Sequence, residues 1–166
     1  MTSNPSSILD SLRDELWEIP RKAQRLPWGD IRRWTFKTHL WIEQEDDKIL
    51  VVIDLHDLNV KIARDVVYQS IKKMSTLVGA ICFITGKGNH SAGGPKILPM
   101  AIDISQNQAD KNGWRVQSQP GKVFVIYDES KAPTIVTGEL SRTIVWGVYL
   151  FFALLAMILI RALITA

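Results

Sequence analysis

Lys48-Ile49-Leu50-Val51-Val52-Ile53-Asp54-Leu55-His56-Asp57 is the stretch on which the fold turns. Its continuous apolar run reads as a buried first strand, ending in polar residues. Behind it, Val60 to Val78 sets Ala63, Val67, Ile71, Met74 and Val78 at helical spacing, and Gly79 closes that helix. Gly79 to Thr85 reads as a second buried strand. Gly86 to Gly94 is a loop with four glycines. Pro95 suits a first helical position, and a helix continues to about Lys111, stopped by Asn112-Gly113. Trp114 to Ser118 and Lys122 to Tyr127 alternate in polarity, with Pro120-Gly121 between them. The order is β-α-β-α-β-β. It predicts an α/β two-layer sandwich with a mixed, mainly four-stranded sheet over residues 48–128.

Outward from that domain, residues 1–47 form a helical and aromatic extension. Ile8 to Trp17 suits a short amphipathic helix capped by Ser6 or Ser7, and Pro20 and Pro27 break the next stretch of chain. Trp28, Trp34, Phe36 and Trp41 mark a segment that packs on the core, lies on a membrane or stacks bases, with packing preferred. His39 reads as a surface or packing residue. Downstream, residues 129–142 form a linker. Residues 143–164 read as a transmembrane helix, because TIVWGVYLFFALLAMILI carries no charge and about 20 apolar residues span a bilayer. The expectation is therefore a single-pass C-terminal anchor, with the domain facing the cytoplasm.

The chain has 166 residues, 46% of them hydrophobic and 22% charged, with net charge +3, which argues against disorder along its whole length. Its single cysteine, Cys82, excludes an intrachain disulfide and a thiolate metal cluster. From Leu58 to Lys122, basic residues including Lys61, Lys72, Lys73, Lys96 and Arg115 are opposed only by Asp65, Asp103 and Asp110. A solvated helix surface accounts for such an excess, and so does a polyanion or an anionic lipid headgroup.

Two polar clusters fall at the C-terminal ends of the buried strands, where ligands gather in open α/β sheets. Asp54 and His56 are two apart, so both point to one side of an extended chain, and a carboxylate there orients an imidazole. The competing reading is that Asp54 caps the turn and His56 is a satisfied edge residue. Gly86-Lys87-Gly88 lacks the Lys-Ser/Thr pair of a nucleotide-binding loop but offers backbone N–H groups to a phosphate.

IDLHD at Ile53 to Asp57 resembles the LDLHG box of the small MutS-related (Smr) domain, and TGKGNHSAGG at Thr85 to Gly94 resembles that family's glycine loop. Asp57 stands where the box usually has glycine. The resemblance implies nuclease activity on DNA or RNA, with Asp54 and His56 from the box and Gly86, Lys87 and Gly88 from the loop. His90 and Ser91 match the HS that comes after the loop. The expected catalytic residues are thus Asp54, His56 and His90, with His90 as the second proton-transfer group. Gly86, Lys87, Gly88, Asn89, Ser91 and Lys96 are the expected nucleic-acid contacts. No metal or cofactor is expected. The expected partners are nucleic acid, a membrane through residues 143–164, and a protein partner or second copy. The alternatives are a non-catalytic nucleic-acid-binding module and a membrane-associated interaction domain.

Overall fold

A computed structural model describes residues 4–24, 34–86 and 95–135. The chain divides into two compact units, Met1–Pro133 and Thr134–Ala166, and every element named here belongs to the first. The elements are α1 (Pro5–Glu15), α2 (Ile19–Gln24), α3 (Phe36–His39), β1 (Leu40–Glu45), β2 (Lys48–Asp54), α4 (Val60–Met74), β3 (Ala80–Ile84), α5 (Ile97–Asn112), β4 (Arg115–Gln119) and β5 (Lys122–Ile126).

The strands form one sheet in the order β1-β2-β3-β5-β4. β2 and β3 are parallel, with Asp54 paired to Ile84, and α4 supplies the crossover that parallel neighbours need. The other pairings are antiparallel. β4 and β5 join through Pro120-Gly121, where Gly121 takes a left-handed φ of 78°, a conformation glycine adopts without a Cβ clash.

The predicted fold class is corrected on two counts. The sheet has five strands, because Leu40–Glu45, assigned to the N-terminal extension, pairs along its whole length with β2. The connection is Asp46-Asp47, with Asp46 at a φ of 55°. That turn lacks the glycine that usually marks a hairpin, so the strand reads as part of an acidic cluster. The second correction concerns the membrane. The transmembrane helix expected at 143–164 lies outside the described residues. Among the described residues no helix is long and apolar enough to cross a membrane. The longest, α5, has 16 residues, short of the roughly 20 needed. The architecture is a mixed α/β domain with five described helices on a five-stranded sheet, and the single-pass anchor and its cytoplasmic orientation are withdrawn.

Strand alternation divides the side chains of the sheet. Val51, Ile53, Ile81, Phe83, Val123 and Val125 share one core with Ile8 and Leu12 of α1, Ala63, Val67 and Ile71 of α4, and Ala101 of α5. Their alternates Leu50, Val52, Cys82, Phe124 and Ile126 point the other way and are also buried. Local signals explain the helix starts. Asn4, not Ser6 or Ser7, caps α1 by accepting from the Ser6 N–H, and Asn59 caps α4 by accepting from the Ile62 N–H. Pro99 lies in the first turn of α5, where its missing N–H has no helical partner to lose. Gly79 does not cap α4, which ends at Met74 with Ser75 as its C-cap. Its role is close approach: a Cβ there would come within 2.2 Å of the Lys131 carbonyl. The chain returns past this point, and the Tyr127 and Asp128 N–H groups donate to the Gly79 carbonyl at 2.9 and 3.2 Å.

Candidate functional site

The site grows from the end of β2. Asp54 is its last residue, and the Leu55 N–H continues the parallel ladder by donating to the Ile84 carbonyl at 2.8 Å. The chain then turns so that Asp54 Oδ1 accepts the His56 backbone N–H at 2.8 Å. The same oxygen is hydrogen-bonded to His56 Nδ1. A carboxylate only accepts, so Nδ1 carries the ring proton and Nε2 of the neutral ring keeps its lone pair. Asp54 therefore fixes both the orientation and the tautomer of a half-exposed imidazole.

Nε2 points to the end of β3. A Cβ built on Gly86 would lie 2.4 Å from His56 Nε2, and Gly86 has a φ of 71°. Both facts require glycine there. The β4–β5 turn backs this position, because the Thr85 N–H donates to the Gly121 carbonyl at 2.8 Å. The two parallel strand ends thus bring together Asp54, His56 and Gly86 of the residues singled out in the sequence. Lys96 is exposed and makes no side-chain capping bond at the start of α5. Lys87, Gly88, Asn89, His90 and Ser91 lie outside the described residues. Among the described residues no group of three or more His, Cys, Asp or Glu is gathered for a metal ion.

Asp57 stands at a φ of 68°. Glycine would meet that geometry without strain, and Asp is among the few other residues that tolerate it. The Asp57 carboxylate faces His39, with Oδ2 3.7 Å from Nε2. His39 is buried, and its Nδ1 lies 2.6 Å from the Thr38 hydroxyl and 3.2 Å from both the N–H and the carbonyl oxygen of Thr35, so the ring edge away from Asp57 is held in either tautomer. Its ring stacks on Trp34 at 5.6 Å between centroids. Trp34 is fully buried, and its indole N–H donates to the Asp54 carbonyl at 2.6 Å. Sequence reasoning gives His39 as a surface or packing residue and Trp34 as one that packs on the core, lies on a membrane or stacks bases, with packing preferred; Trp34 does pack in the core. A signal is present nonetheless: an indole and an imidazole both stand just ahead of a strand that pairs with β2.

No family model matches the chain, and neither does any curated protein or solved structure. The resemblance to the small MutS-related domain is accordingly corrected, and with it the identity as an endonuclease of that family, so any reading of activity rests on the side-chain geometry alone. The physical reason lies in what the two motifs encode. A polar turn at one strand end and a glycine loop at its parallel neighbour are demands of the α/β backbone, which unrelated chains meet in similar ways. The expected nucleic-acid partner also lacks support. Part of the basic excess is met locally, by Arg115 with Glu129 at 2.6 Å and Lys73 with Glu15 at 3.9 Å. The expected membrane partner falls with the anchor.

Proposed function

We propose that Asp54 and His56 form the acid–base pair of an enzyme that cleaves phosphodiester bonds. One observation supports this reading above the others: a half-exposed imidazole holds Nδ1 on a carboxylate and turns Nε2 toward a glycine that leaves it room.

In the proposed reaction Nε2 removes the proton of the attacking hydroxyl, from water or from a neighbouring 2′-hydroxyl, as its oxygen bonds to phosphorus. The bond from phosphorus to the leaving oxygen breaks, and that oxygen, in line with and opposite the attacking one, takes a proton from the second proton-transfer group or from solvent, while the imidazolium returns its proton to solvent. Asp54 stabilises the imidazolium and keeps its ring aligned. The role of second proton-transfer group stays with His90 as part of the proposal. A positioned general base contributes roughly 10²- to 10⁴-fold.

The test is a cleavage assay on the full chain with single-stranded DNA, duplex DNA and RNA. His56→Ala is expected to lose at least about a hundredfold in rate. Cleavage at the unaltered rate by the His56→Ala protein would end the assignment.

A further inference from the structure

The N-terminal segment touches the proposed catalytic turn at two points, one through the core residue Trp34 and one through the buried His39. The first is the peptide group that joins Asp54 to Leu55. Its carbonyl accepts the Trp34 indole N–H at 2.6 Å, and its N–H donates to the Ile84 carbonyl at 2.8 Å. With both sides of the plane held, the direction in which the Asp54 side chain leaves the strand is fixed. The second contact is at Asp57, whose left-handed backbone carries the chain away from His56 and whose carboxylate faces His39.

The two contacts are coupled through rings. His39 lies on Trp34 at an interplanar angle of 28°, and Phe36 meets the same indole edge-on at 5.4 Å. The indole is thus gripped from two sides while its N–H is aimed at one carbonyl. A buried indole N–H needs an acceptor, and here the acceptor is the carbonyl of the residue that orients the imidazole.

We infer that Trp34 and His39 are positioning residues for the Asp54–His56 pair, Trp34 through the Asp54 carbonyl and His39 through Asp57. Neither touches substrate. This inference rests on the proposed phosphodiester chemistry for its kinetic readout, but the geometry it claims is measurable without any activity.

The experiment compares the full chain with Trp34→Phe, which keeps an aromatic ring and removes the donor. A second variant, His39→Phe, keeps a ring to stack on Trp34 and removes the group facing Asp57. Two quantities are read: kcat and KM for phosphodiester cleavage, and the NMR resonance of the His56 Nδ1 proton bonded to Asp54. The expected result is a fall in kcat of roughly tenfold or more with KM changed less than about twofold, because small misplacements of a catalytic group are costly. The Nδ1 proton resonance is expected to move in both variants. His39→Gln, which restores a polar side chain toward Asp57, is expected to recover most of the loss seen in His39→Phe.

An unmoved resonance overturns the inference, whatever the rate does. A raised KM with unchanged kcat does so too. If the unaltered chain cleaves nothing, the proposed activity fails and the resonance alone decides the positioning claim. If Trp34→Phe does not fold, His39→Phe and His39→Gln carry the same comparison.

Discussion

Two Asp–His pairs stand at the end of β2, and they are built in opposite ways. Asp54 and His56 are two residues apart, and their side chains are 23% and 45% exposed. Asp57 and His39 come from separate elements, at 3.7 Å, with side-chain exposures of 26% and 11%. In the first pair the histidine is the open partner. In the second it is the buried one. An imidazole that is to exchange protons with a substrate must reach solvent, whereas one that supports a turn works best enclosed. On the proposed reading, the first pair carries the chemistry and the second supports the turn.

The contrast is broken most severely at Gly86. Gly86→Ala puts a methyl group 2.4 Å from His56 Nε2 at a left-handed position, so it displaces the open imidazole and spares the buried one. Cleavage is expected to fall roughly a hundredfold. Stability is expected to drop by about 1–2 kcal/mol, read by urea denaturation.

Alkaline pH acts on the core. Burial pushes the Cys82 thiol from 9.0 up to about 12, with Lys122 drawing it down and Glu43 adding to the rise. The folded state thus favours the neutral thiol. Its contribution is fully present below pH 9 and is lost as pH rises from 9 toward 12, by at most about 1.4 kcal/mol per pH unit. Burial raises the Tyr127 phenol in the same direction. Denaturant midpoints measured across that range are expected to fall, and a Cys82→Ala variant to fall less.

The smallest effect is at Asp57. Asp57→Gly relieves the left-handed backbone but loses the contact with His39, so the two changes nearly offset. Asp57→Ala loses the contact and keeps the strain. The alanine variant is expected to be less stable than the glycine variant by about 1 kcal/mol. Equal stability of the two would show that the 68° backbone costs nothing, and the support assigned to the second pair would lose its purpose.

The same contrast explains how much the sequence revealed. Asp54 and His56 are legible because polar residues close an apolar strand, although a turn held by the Asp54 carboxylate, and not an extended two-residue step, brings them together. Gly86 is legible because parallel buried strands end side by side. His39 and Trp34 are not. Trp34 reaches a carbonyl 20 positions away, and the strand that carries the chain between them enters through a turn of two aspartates with no glycine to announce it. The fifth strand and the buried pair are therefore hidden by one omission. The family resemblance errs the other way, since short motifs set by backbone geometry were read as ancestry.

The seam at Gly79 determines where this domain can be cut. Its carbonyl is claimed by the N–H groups of Tyr127 and Asp128, and residues 131 and 132 lie so close that no side chain fits between. A fragment ended at 128, the boundary the sequence suggested, would strip away the backbone that seals this crossing. Recombinant versions should therefore retain the polypeptide through Pro133.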